Sequence, residues 1–142
     1  MLNWKQELEP GGLNWWTVVS GMGMNFILTS FLFLAITALT QGAAPPEEGA
    51  GAPAVLTLAM SAGAFLIPLL TAYICGRLSD ERYMAYAFYP LIGYLILAVP
   101  GVLYAGMFGI LLVLFGVLGA FNGATLAARR AARRRHTVTK PD

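Results

Sequence analysis

The amino-acid sequence predicts an all-α polytopic membrane protein: four transmembrane helices in a bundle, preceded by a short N-terminal interfacial helix. Three observations carry this prediction. Of 142 residues, 58% are hydrophobic and 11% are charged, whereas a soluble domain carries about 25% charged residues. The charges between Gln6 and Lys140 are confined to Glu7 and Glu9, Glu47 and Glu48, Arg77 to Arg82, and the terminal arginines. The rest of the chain reads as four apolar runs, each near the roughly 20 residues that a spanning helix needs. In hydrocarbon no water satisfies the backbone amides, so such runs form helices. A membrane barrel would need segments of about ten residues alternating apolar and polar, and these runs are uniformly apolar.

The first element is an interfacial segment over residues 1–12, "MLNWKQELEPGG". Trp4 and Leu8 are four apart, as are Lys5 and Glu9, and Pro10-Gly11-Gly12 ends the pattern. That spacing fits a short amphipathic helix lying on a membrane surface. The segment lacks a basic leader, and the apolar run after it is too long for a signal peptide's h-region. The four-helix domain occupies residues 13–128, with spans at about 13–39, 54–76, 84–99 and 102–128. The loop "TQGAAPPEEGAGAP" separates the first two. Gly76 fits a C′ cap of the second helix, with Arg77 beside its exposed carbonyls. Ser79 suits the N-cap of the third, which would place Asp80 and Glu81 in its first turn. Pro100-Gly101 reads as the tight reversal between the third and fourth spans. Pro68 and Pro90 fall within helices, where proline introduces kinks. Residues 129–142 form a basic tail.

Loop one, residues 40–53, contains no Lys or Arg. With four spans, the N-terminus, loop two and the C-terminus share one side, and that side holds Lys5, Arg77, Arg82, the five tail arginines and Lys140. The positive-inside rule makes that side cytoplasmic and puts Glu47 and Glu48 outside. Arg129, Arg130, Arg133, Arg134 and Arg135 therefore read first as a topology lock. Their second expected role is contact with anionic headgroups, at about 1 kcal/mol per basic residue. An acidic partner surface is a further option. A nucleic-acid partner is not expected: the net charge is only +2, and no aromatics are interleaved for base stacking. Trp4, Trp15 and Trp16, with Tyr83, Tyr86 and Tyr89, form an expected aromatic belt on the same side.

Chemistry-bearing motifs are sparse. No ionisable residue lies inside the four predicted cores, where it would point to transport or proton relay. Small four-helix multidrug exporters resemble this chain in length and span number but depend on a membrane-embedded Glu in the first helix. Here that helix offers Asn25, Thr29, Ser30 and Thr37, which argues against proton-coupled export. His136 is the only histidine and lies outside the spans, and Cys75 is the only cysteine. No disulfide, metal site, cofactor or catalytic triad is expected from this set. Gly21-Met22-Gly23 lacks the remainder of a nucleotide fingerprint. The chain does not read as an enzyme.

Packing signals are stronger. Gly109, Gly116 and Gly123 recur every seven residues, Gly119 and Gly123 form a GxxxG pair, and Ala120 and Ala124 lie one residue on. The second helix offers Ala59 with Gly63, then Ala72 with Gly76. Small residues at this spacing let another helix approach closely, either within the bundle or on another subunit. Asn25 and Asn122 can each bond across a helix pair, and together they could line a polar path.

The stretch "AGAFLIPLLTAYICGRLSDERYMAYAFYPLIGYLIL", with Gly76-Arg77 and Gly93, and the Gly-rich last helix resemble small four-helix bacterial membrane proteins of unknown function. The likeness covers the last two-thirds of the chain. It implies an integral protein of the bacterial plasma (inner) membrane and supplies no catalytic residue. The expected function is a non-catalytic structural or accessory bundle that associates with itself or with other membrane-protein subunits. The alternative is a small oligomeric transporter or channel, lined by Asn25, Thr29, Ser30, Asn122 and backbone at Pro68 or Pro90.

Overall fold

The computed structural model describes residues 9–41, 54–78 and 82–138, with side chains through Arg134. Among these the chain is all-α. Helix α1 is Trp15–Gln41, α2 is Ala54–Arg77, α3 is Ala85–Ala105 and α4 is Met107–Val138. All four are long and apolar enough to cross a membrane, as in a small integral membrane protein. At about 1.5 Å per residue they measure about 40, 36, 32 and 48 Å, against a hydrocarbon core of about 30 Å.

The helices alternate in direction. The start of α1 meets the start of α3, where the Asn14 backbone N–H donates to the Tyr86 hydroxyl (2.6 Å). The ends of α2 and α4 meet at Gly76 and Ala127. The α2–α4 seam is the most extensive, and α1 and α4 sit at opposite corners, nearly out of contact.

Helix ends differ from the sequence expectation at three points. The reversal between the last two spans is at Gly106 rather than Pro100-Gly101. Pro100 lies inside α3. Proline removes one amide donor, but in hydrocarbon the remaining backbone groups still need internal partners, so the helix continues to the next residue that can turn. Gly106 adopts φ 55 and donates its N–H to the Val102 carbonyl (2.8 Å), and α4 starts at the following residue. Gly76 is not a cap, because α2 continues through it to Arg77; its missing side chain makes room for Ala127. Helix α3 begins at Ala85 with Met84 at its N-cap and has no acidic residue in its first turn. It thus starts beyond Ser79, Asp80 and Glu81, which lie outside the described residues.

The expected N-terminal interfacial helix falls mostly on residues 1–8, also outside the described residues. Residues 9–14 form a turn, with no helix, and Gly12 takes φ 80. Arg82 clasps this turn through Nη1, which donates to the carbonyls of Glu9 (3.2 Å) and Gly11. Asn14 caps α1, its Oδ1 accepting from the N–H groups of Trp16 (3.1 Å) and Thr17 (3.4 Å). These bonds satisfy amides that a helix start leaves unpaired.

The interior is built from small residues: Ala64, Ala72, Ala87, Ala120 and Ala124 are all buried, while Phe31, Leu58 and Leu103 are exposed. This inverts the soluble pattern. Lipid is as apolar as leucine, so large side chains gain little by hiding, and close backbone approach drives helix packing. Pro68 and Pro90 are both buried within their helices. Tyr94 and Tyr86 are large side chains that are nonetheless buried, and Tyr94 sits in the α2–α3–α4 core. Its ring lies over Gly116, and its hydroxyl donates to the Leu112 carbonyl (2.7 Å) one turn away. Tyr94→Phe keeps the ring and loses that bond, at an expected cost of about 1 kcal/mol. A detergent unfolding titration checks this; a stability equal to wild type would mean the hydroxyl contributes nothing.

Candidate functional site

The glycines singled out in α4 face the chain's own helices. A Cβ on Gly119 would meet the Phe65 carbonyl oxygen, and one on Gly123 the Leu69 carbonyl oxygen, both on α2. On Gly116 it would strike the Tyr94 ring, and on Gly109 it would lie 2.6 Å from the Val102 Cα, both on α3. Gly63 faces Leu32 of α1. Ala59, its partner in the sequence pattern, is exposed. Two close approaches involve glycines that the sequence did not mark as packing positions. Gly93 admits the Met22 backbone, and Gly21 sits where a Cβ would be 2.6 Å from Cys75 Sγ and 2.9 Å from Pro90 Cβ. Neither belongs to a seven-residue repeat, so periodicity gave no signal for them.

The two asparagines part company. Asn25 is buried, and its Nδ2 donates across to the Pro90 carbonyl of α3 (2.8 Å). Asn122 is exposed, and its Nδ2 donates to Leu118 of its own helix (2.8 Å), so it bridges no helix pair within the chain. Because α1 and α4 occupy opposite corners, the two asparagines lie apart within the chain. Ser30 and Thr37 likewise bond to carbonyls of their own helix, at Phe26 and Phe33 (2.8 Å each), a common disposition of hydroxyls in helices. Asn25 Oδ1 and Thr29 Oγ1 are buried without a hydrogen-bond partner. Thr29 also lines an apolar cavity of about 260 Å³, together with Met60, Ala64, Tyr94, Ala98 and Leu112.

The arginines converge at one end of the bundle. The alternation of the helices brings Arg77 of α2, Arg82 before α3, and the end of α4 together. The α4 helix does not stop at Ala128 but runs through the arginines to Val138, so they project from a rigid rod. Arg130 Nη1 donates to the Tyr73 hydroxyl (2.6 Å), and the Arg77 guanidinium lies 5.9 Å from the Tyr73 ring centroid, within cation–π range. Arg134 lines a small cleft with Gly76, Arg77 and Tyr83. Arg129, Arg130 and Arg133 line a larger groove beside it, with Arg130 common to both. The Arg135 and His136 side chains lie outside the described residues. Among the described residues Glu9 is the only acidic one, and no group of three or more His, Cys, Asp or Glu is brought together.

The aromatic set at this end divides. Trp15 and Trp16 are exposed, and Trp15 packs on Tyr89 at 6.1 Å between ring centroids. Tyr86 turns inward to receive the Asn14 amide. Trp4 lies outside the described residues.

No protein-family model matches the chain, and no curated protein or solved structure does either. What the structure itself supports is the architecture of a small four-span membrane protein, four long apolar helices packed in a bundle.

Proposed function

We propose that the protein is a non-catalytic structural or accessory bundle of the bacterial inner membrane, with both termini cytoplasmic, that associates with another membrane helix through the outer face of α4. Asn122 is the observation that carries this reading. It is exposed within the spanning part of α4, and its one hydrogen bond goes to its own helix. One amide hydrogen and the Oδ1 acceptor are left for a neighbour, and lipid offers them none. Leu111, Phe115 and Leu118, also exposed, continue the same face at spacings of four and three, the spacing of a helix-packing stripe. The glycine face of the same helix is occupied by α2 and α3, so association with other subunits falls to this exposed stripe.

An interhelical bond from such a residue contributes about 0.6–2 kcal/mol, or about three- to thirty-fold in association. Cross-linking through Leu118→Cys in native membranes is expected to capture either a second copy or a larger subunit. Adding Asn122→Leu should weaken that capture by this factor. A chain that stays uncross-linked, or capture indifferent to Asn122→Leu, would sink the reading. The transporter alternative draws on the unpartnered Asn25 and Thr29 oxygens beside the apolar cavity. Substrate-dependent flux in proteoliposomes of the purified chain would put it in place of the accessory reading.

A further inference from the structure

We propose that the groove between α2 and α4 at the arginine-bearing end is a binding site for one anionic phospholipid. The phosphate sits among Arg129, Arg130 and Arg133, and an acyl chain lies along Leu69, Leu70 and Leu126. This rests on the membrane reading above but not on Asn122.

The groove has a volume of about 690 Å³, with leucines from both helices in its floor and the three arginines and Tyr73 at its mouth. Depth fits a lipid. From Met107 to Ala128 is 22 residues, about 33 Å of helix, so Arg129 emerges just past a hydrocarbon core of about 30 Å. That is the level of the phosphates. Charge fits as well. Arg129 and Arg133 lie four apart on one face, where like charges repel, and Arg130 is one residue from Arg129. Among the described residues no acidic side chain is within ion-pair distance of any of the three. Arg130 bonds instead to the neutral Tyr73 hydroxyl (2.6 Å), which holds its guanidinium at the groove and, among the described residues, brings it no counter-charge. That hydroxyl still has its own proton to donate to a phosphate oxygen. Guanidinium groups match phosphate oxygens with paired hydrogen bonds, and basic pockets between membrane helices suit anionic headgroups.

The leucine floor selects among sources of phosphate. It lies within the span, where a soluble anion covers nothing and an acyl chain continuous with its headgroup covers both parts.

The test uses the full chain purified in mild detergent, with native mass spectrometry against phosphatidylglycerol, phosphatidylcholine and inorganic phosphate. One phosphatidylglycerol should be retained in preference to phosphatidylcholine, and millimolar inorganic phosphate should not displace it. Arg129→Gln with Arg133→Gln should lower retention about tenfold or more. Leu70→Trp, which fills the floor without altering charge, should also lower it. Arg134→Gln, which removes a charge from the adjoining cleft but not from the lining of the groove, should leave it unchanged. Equal retention of phosphatidylcholine, displacement by inorganic phosphate, or an equal loss in Arg134→Gln would overturn the site. Unchanged burial of Cys75 to thiol reagents verifies that each variant is folded. Retention is read on the isolated chain, so a negative result leaves the α4 docking face standing. Asn122→Leu should in turn retain the lipid.

Discussion

A chain carrying Gly119→Ile and Gly123→Ile is expected to lose the folded bundle. The reason is what the new side chains meet. At Gly119 the nearest atom to an added Cβ is the Phe65 carbonyl oxygen, and at Gly123 it is that of Leu69. These are backbone atoms of α2, which cannot swing aside as a side-chain tip can. The helices must therefore separate along the seam where Ala72, Ala120 and Ala124 are almost wholly buried. Overpacking costs about 1–3 kcal/mol per site, occasionally more, and two backbone collisions belong at the upper end. Total stabilities of single domains are only about 5–15 kcal/mol. Unfolding by increasing SDS in mixed micelles, followed by tryptophan fluorescence, should occur at a much lower SDS fraction than in wild type. Gly23→Ala and Gly101→Ala serve as controls, since an added Cβ there meets nothing within 4 Å. Those two should behave like wild type. If the isoleucine pair did so too, the seam would not hold the bundle.

The second large effect concerns orientation. Replacing Arg129, Arg130, Arg133, Arg134 and Arg135 with Gln removes five of the nine basic residues. Reporters fused to the C-terminus, one active only in the cytoplasm and one only outside, should then both give signal, where wild type is expected to give the cytoplasmic signal alone. Arg77 and Arg82 lie at the same end of the bundle and retain part of the bias, so adding Arg77→Gln and Arg82→Gln should increase the inverted fraction. The physical basis is the asymmetry of basic residues flanking short loops. A wild-type chain reporting its tail outside, or a seven-Gln chain still oriented as wild type, would refute the lock.

The number and kind of helices were legible because long apolar runs in a chain with few charges have one solution in lipid. The joints were less legible, for a specific reason. Gly76-Arg77 does mark the end of α2, which closes at Arg77, but Pro100-Gly101 carries the local chemistry of a stop and yet lies inside α3. Turn signals of this kind presume water as an alternative partner for the freed backbone groups, and a bilayer withholds it. Gly76 is read correctly only once Ala127, 51 residues later in the chain, is known to lie against it. A still larger separation, 73 and 71 residues, hides Arg82, whose guanidinium holds the carbonyls of Glu9 and Gly11. The seven-residue glycine repeat was visible, but not which neighbour it faces: α4 gives Gly109 and Gly116 to α3 and Gly119 and Gly123 to α2. Asn25 and Asn122 looked alike as polar residues in apolar runs. One faces a proline carbonyl across the bundle and the other faces outward, a difference set by helix rotation rather than by residue type.

Gly106 is the entire connection between α3 and α4, and its consequence concerns biosynthesis. With one residue of slack, neither helix can settle across the lipid while the other waits in water. The pair must be delivered together, after the ribosome has completed both. The leading tip, with Leu103, Tyr104 and Met107 all exposed, carries no ionised group, so its passage to the far leaflet drags no charge through oil.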